Sequence, residues 1–271
     1  LNVDGDKLNF SDIGTGKPVI FIHGGCGSGK QWKALSTALS EKYRCIALDL
    51  FGNGESEPWP IERIWTVDDD QRAIDAILEY VGEPVHFIIH SGGGHYAYPS
   101  IKNSSSQIMS ITLFEPIYFH LLHQSGDPLF AEIEEMANRY RHAMDVGNRE
   151  TAMAGFVDAW AGAEGAWEKF PEPVKAAMRV GSDRLYHEWA CLWLDKPSRS
   201  DLQALDRPVL LFKGTNTTRS MSRVCDVVQQ ALPHCKYVEL DGAGHMGPFT
   251  HAEAVLPFVK QHLAMSEIQN S

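Results

Sequence analysis

The chain has 271 residues, of which 44% are hydrophobic and 22% charged. That suits one sizeable soluble core, and no apolar run reaches membrane-spanning length. The formal net charge of −11 argues against nucleic acid or an anionic membrane as the main partner, since both select clustered Lys and Arg. Five cysteines without a CxxC pair make neither a disulfide framework nor a zinc site, and they read as inert thiols of a reducing, cytoplasmic compartment.

In chain order, Lys7 to Ile13 reads as an early strand, Pro18 to Ile22 as a strand buried on both faces, and Cys45 to Leu48 as another. Between the last two, Trp32, Leu35 and Leu39 recur at helical spacing. Thr66 predicts a helix start, with Asp68, Asp69 and Asp70 in the first turn favouring the positive end of the dipole. Ile74, Ile77 and Leu78 form the apolar stripe of that helix. Val85 to Ile89 and Ile111 to Phe114 are the next strands. Late in the chain come Pro208 to Phe212 and Tyr237 to Leu240. Thr250 with Glu253 makes a capping-box pattern for a last helix, in which Pro257 is expected to cause a kink or a restart. Strands alternating with helices predict a parallel sheet covered by helices.

From about Phe119 to Asp206 the rhythm changes to helical patterns without a convincing strand. The expected division is a core of residues 1–118 and 207–271, with a helical cap at 119–206. The cap is rich in aromatics. Most of these read as packing core, and one or two, Trp160 foremost, as lining a pocket between cap and sheet.

Candidate chemistry sits at strand ends. His90-Ser91-Gly92-Gly93-Gly94 follows Val85 to Ile89, His23-Gly24-Gly25 follows Pro18 to Ile22, and Gly242-Ala243-Gly244-His245-Met246 follows Tyr237 to Leu240. Asp49-Leu50-Phe51-Gly52-Asn53-Gly54 follows Cys45 to Leu48. A serine on a sharp strand-to-helix turn is lifted clear of its neighbours, and small residues around it let the backbone double back.

In these motifs and their order the chain resembles the α/β-hydrolase family. The resemblance implies an α/β fold with a mostly parallel eight-stranded sheet flanked by helices, plus the helical cap. It implies Ser91 as nucleophile and His245 as base, and an oxyanion hole from the backbone N–H groups of Gly25 and Gly92. His23 and His90 are expected to serve turn structure and packing. His120, after the strand ending at Phe114, and Met246, beside His245, are expected to face substrate.

Two positions depart from the family pattern. Ile89 stands where the usual Gly-x-Ser-x-Gly elbow has its first glycine, and relief of the crowding is expected from Gly92, Gly93 and Gly94. The loop Gly214-Thr215-Asn216-Thr217-Thr218 lacks the usual acid. Some branches of the family carry the acid at the end of the preceding strand, and Glu115 is the expected replacement. Asn216 is a weaker substitute, because an amide cannot balance the imidazolium charge.

Gly24 to Lys30 also matches the phosphate-loop pattern GxxxxGK, but Gln31 stands where a magnesium-binding Ser or Thr is required.

The expected activity is cleavage of an ester, lactone, thioester or amide of a small to medium, mainly apolar molecule. No metal, cofactor, nucleic acid or membrane is expected to take part, and a homodimer is allowed. The alternatives are lyase chemistry or cofactor-free oxygenation on the same residues, or a ligand-binding protein that has lost turnover.

Overall fold

The computed structural model describes residues 1–194 and 196–269. Its centre is a seven-stranded sheet in the order β3 (Asn9–Ile13), β5 (Arg44–Asp49), β4 (Pro18–Ile22), β6 (Val85–His90), β7 (Ile108–Phe114), β8 (Val209–Gly214) and β9 (Cys235–Leu240). Only β3 runs antiparallel, at one edge against β5. The expected eighth strand is not part of this sheet. The N-terminal strands β1 (Asn2–Val3) and β2 (Asp6–Lys7) pair only with each other, so the predicted strand Lys7 to Ile13 is divided between a small hairpin and the main sheet. Asp4, in the left-handed region at φ 53°, makes the turn of that hairpin.

Strands β4, β6, β7 and β8 are buried along their whole length, as their near-continuous apolar sequences require. Alternate residues serve opposite faces. Val19, Phe21, Cys45, Ala47, Ile88 and Phe212 pack under α1 (Lys33–Leu39) and α12 (Ala252–Gln269). Ile20, Ile22, Leu48, Phe87, Ile89 and Leu211 face α2 (Val67–Val81), α3 (Gly93–Asn103) and α10 (Arg219–Ala231).

The α2 start is as the sequence predicts: Asp69 accepts from the Thr66 backbone N–H at 2.9 Å and from its hydroxyl at 3.1 Å. Asp70 is different, for it is fully buried rather than merely near the dipole. The expected Thr250 cap does not form. Gly247–Thr250 make a short helix of their own, α11, begun by Pro248, and Thr250 ends it by donating to the Met246 carbonyl. Helix α12 then begins at Ala252 and continues through Pro257.

Between β7 and β8 the regular elements of the described residues are all helical: α4 (His120–Ser125), α5 (Phe130–Asp145), α6 (Arg149–Ala161), α7 (Glu172–Val180), α8 (Ser182–Glu188) and α9 (Arg199–Gln203), with short 3₁₀ turns. No helix among the described residues is long and apolar enough to cross a membrane.

Strand order reverses between β4 and β6: β4 is followed by β5 on one side and, later, by β6 on the other. The loops after β4 and β6 therefore leave the sheet side by side and open a crevice at its C-terminal edge. Those loops carry Gly24-Gly25 and Ser91.

Candidate active site

Ser91 follows β6 directly and sits at φ 54°, in the left-handed region. Its backbone is held on both sides. The N–H donates to the Phe114 carbonyl at 3.0 Å, and the carbonyl accepts from Gly94 at 3.1 Å. Glu115 (φ 42°) and Cys26 (φ 53°) share this conformation, so three of the four non-glycine residues with positive φ among the described residues lie around one crevice. Such conformations cost about 1–3 kcal/mol each and persist where the surroundings over-determine them.

The bulk of Ile89 is absorbed by Gly93. A Cβ on Gly93 would lie 2.9 Å from Ile89 Cγ2 and 3.0 Å from Ile22 Cγ2, so a glycine one turn later leaves the space that a glycine at 89 would otherwise provide.

The three side chains named at strand ends meet. Ser91 Oγ lies 2.9 Å from His245 Nε2, and His245 Nδ1–H donates to Glu115 Oε2 at 2.8 Å. Glu115 is fully buried at the end of β7. Its Oε1 accepts from the Gly214 N–H at 2.7 Å, and its Oε2 also accepts from the Thr217 hydroxyl at 2.8 Å. The loop without an acid thus supplies donors that orient an acid from the neighbouring strand. Asn216 is exposed and donates to the Gly242 carbonyl instead of reaching His245.

His245 is flanked by two rings. Trp160 stacks on it with centroids 4.2 Å apart, and His90 packs at 4.8 Å. His90 Nε2–H also donates to the His245 carbonyl at 2.9 Å, which fixes that residue's backbone. Burial, with His245 beside it, pushes the His90 pKa well below the ordinary value. His23 accepts from the Leu50 N–H through Nε2 at 3.0 Å and donates from Nδ1 to the Gly24 carbonyl at 2.7 Å. Burial lowers its pKa to about 4, consistent with that neutral tautomer.

The Gly25 and Gly92 N–H groups have no internal acceptor among the described residues. Both glycines are crowded. A Cβ on Gly92 would lie 2.3 Å from the Tyr96 hydroxyl oxygen, and one on Gly25 would lie 3.0 Å from Glu188 Oε2 and 3.1 Å from Leu185 Cδ1. Tyr96 is buried with little freedom to withdraw. Gly92→Ala is therefore expected to destabilise the fold by about 1–3 kcal/mol through overpacking, read as a lower Tm in thermal unfolding.

Met246, 38% exposed, sits at the rim beside His245. His120 does not reach the crevice. It is fully buried, with Nδ1 3.1 Å from His95 Nε2 and Nε2 2.7 Å from the Pro197 carbonyl, because the first turn of α4 directs the ring inward against α3. The phosphate-loop reading also fails on geometry. The Gly29 N–H donates to the Asp49 carboxylate at 2.7 Å, so an anion of the protein already occupies that turn, while Lys30 pairs with Glu55 on the surface.

The sequence profile of the α/β hydrolase fold family matches residues 17–252, most of the chain. The chain belongs to that family. Among curated members it is 22% identical over 267 residues to a pimeloyl-[acyl-carrier protein] methyl ester esterase of Methylococcus capsulatus, covering 93% of this chain and 97% of that one. It is 25% identical over 114 residues to a haloalkane dehalogenase of Agrobacterium fabrum, covering 42% of this chain and only 37% of the dehalogenase. An esterase from Exiguobacterium antarcticum superposes with a TM-score of 0.79 at 18% identity, covering 97% of each chain.

Four residues beside this α/β-hydrolase crevice escape sequence reasoning: Tyr96, Asp70, Arg184 and Glu188. Arg184 and Glu188 are four apart on one helix, which reads as an ordinary surface ion pair. In the structure both are buried, at 0% and 4% exposure.

Proposed function

We propose that this α/β-hydrolase-fold protein is a serine hydrolase that cleaves an ester or related acyl bond through an acyl-enzyme on Ser91. The observation that carries the reading is the continuous hydrogen-bond chain from Ser91 Oγ through His245 to Glu115. Because Nδ1–H is committed to Glu115, Nε2 is left as the acceptor facing the serine hydroxyl. In this reading Ser91 Oγ attacks the carbonyl carbon as its proton passes to His245 Nε2, and Glu115 stabilises the imidazolium. The tetrahedral oxyanion accepts from the Gly25 and Gly92 N–H groups. His245 then returns the proton to the leaving oxygen. Water, deprotonated by the same nitrogen, attacks the acyl carbon and frees Ser91.

Trp160 over His245, with Leu185 against Gly25, supports a mainly apolar substrate of small to medium size. The esterase among the relatives agrees with this chemistry. The ordered three-residue chain counts against a binding protein that has lost its machinery.

The test is covalent labelling by a fluorophosphonate. One adduct is expected, mapped to Ser91 by peptide mass spectrometry and absent in Ser91→Ala. No adduct, or an adduct elsewhere, refutes the serine nucleophile.

A further inference from the structure

Arg184 and Glu188 reach from α8 down to the oxyanion loop. Arg184 donates to Asp70 Oδ2 at 2.6 Å, to Glu188 Oε1 at 2.5 Å and to the Phe51 carbonyl. One cation therefore serves two carboxylates, and each carboxylate keeps one oxygen unused: Asp70 Oδ1 and Glu188 Oε2 are buried without a hydrogen-bond partner. An orphaned buried acceptor costs about 1–3 kcal/mol, more when charged, so such an atom packed against Gly25 points to a group that arrives from outside.

Glu188 Oε2 lies 3.0 Å from the point where a Cβ on Gly25 would sit, and the Tyr96 hydroxyl lies 3.9 Å from that same point. That hydroxyl has no hydrogen-bond partner among the described residues, and it also closes on Gly92. A free acceptor and a free donor thus stand beside the two glycines, the acceptor against Gly25 and the donor against both. A hydroxyl group satisfies both at once, because it donates one hydrogen bond and accepts others. An ammonium satisfies only the acceptor, and an alkyl chain satisfies neither.

We propose that Glu188 and Tyr96 are specificity-determining residues that hold a hydroxyl on the acyl part of the substrate, close to its reacting carbonyl. Glu188 Oε2 accepts from that hydroxyl, and the Tyr96 O–H donates to its oxygen. The inference rests on the acyl-transfer reading of Ser91. It narrows the substrate class to esters of hydroxy acids.

The test compares methyl esters of butanoic, 2-hydroxybutanoic, 3-hydroxybutanoic and 3-aminobutanoic acids. One hydroxy ester is expected to exceed the plain ester in kcat/KM by about tenfold or more. In Glu188→Gln the amide oxygen stays on Arg184 and its NH₂ turns to the crevice, so the charged acceptor is replaced by a neutral donor and the hydroxy-to-plain ratio falls several-fold. Tyr96→Phe lowers the same ratio. Calorimetric binding of the four esters to Ser91→Ala reads recognition without turnover. A hydroxy preference there without any wild-type turnover supports the hydroxyl site and refutes the serine chemistry alone. Equal binding of hydroxy and plain esters, or a ratio unchanged in Glu188→Gln, overturns the proposal. So does an amino ester that outperforms both hydroxy esters, or a Tyr96→Phe loss equal for all four esters.

Discussion

Replacing Glu115 by glutamine is expected to lower kcat roughly 10⁴-fold while leaving the fold and KM nearly unchanged, the scale of loss when a triad acid becomes an amide. The reason lies in the donors that surround the carboxylate. Oε1 accepts from the Gly214 N–H, and Oε2 accepts from both Thr217 and His245. A glutamine has one acceptor oxygen and one NH₂ for these two places. The backbone N–H of Gly214 cannot turn away, so the oxygen stays with it and the NH₂ meets His245. Nδ1 must then accept, the ring proton moves to Nε2, and Ser91 loses its base. The Thr217 hydroxyl can rotate, so the rest of the network adapts. Steady-state kinetics with any ester that the wild type cleaves, together with a melting curve, decides the matter. A Glu115→Gln enzyme within tenfold of wild type would remove Glu115 from the proposed machinery.

Acid should unfold this protein early. Burial lowers the pKa of His23 to about 4, of His86 to about 3 and of His262 to about 4, and pushes those of His90 and His95 well below the ordinary value. A depressed histidine pKa means that the unfolded chain binds a proton that the folded chain refuses. The contribution to stability is complete above about pH 6.5 and is lost as the pH falls toward the folded values. At pH 5 each such histidine costs about 2 kcal/mol relative to neutral pH. Five of them approach the whole stability of an ordinary domain, about 5–15 kcal/mol. Asp70 works the other way. Burial raises its pKa to about 7, so the folded state gains from its protonation and offsets about one histidine. The urea midpoint is expected to fall steeply from pH 6.5 to pH 5. A midpoint that stays level over that interval would mean that these rings accept protons in place.

Much of the site was legible because its signals are short-range. A buried apolar strand followed by glycines and a serine, or by glycines and a histidine, specifies a tight turn from a few adjacent residues. The empty loop Gly214 to Thr218 and the carboxylate after Phe114 are likewise local features, and together they make Glu115 the favoured candidate, ahead of Asn216. The helical segment was harder to read. His120 looks as available as any histidine after a strand, yet the first turn of α4 buries it against His95. Trp160 was expected at a pocket between cap and sheet, but nothing local placed it over His245.

The sequence by itself thus determined the order of strands and turns, the residues at each turn, and the strand end that offers a candidate acid. The tertiary structure alone decided how the helices between β7 and β8 settle on the sheet. That docking turns Arg184 and Glu188 from a surface-like pair into a buried charge beside Gly25. Turn chemistry depends on neighbours in the chain. The burial of a side chain depends on residues more than a hundred positions away, as Asp70 is from Arg184, and no periodicity reports it.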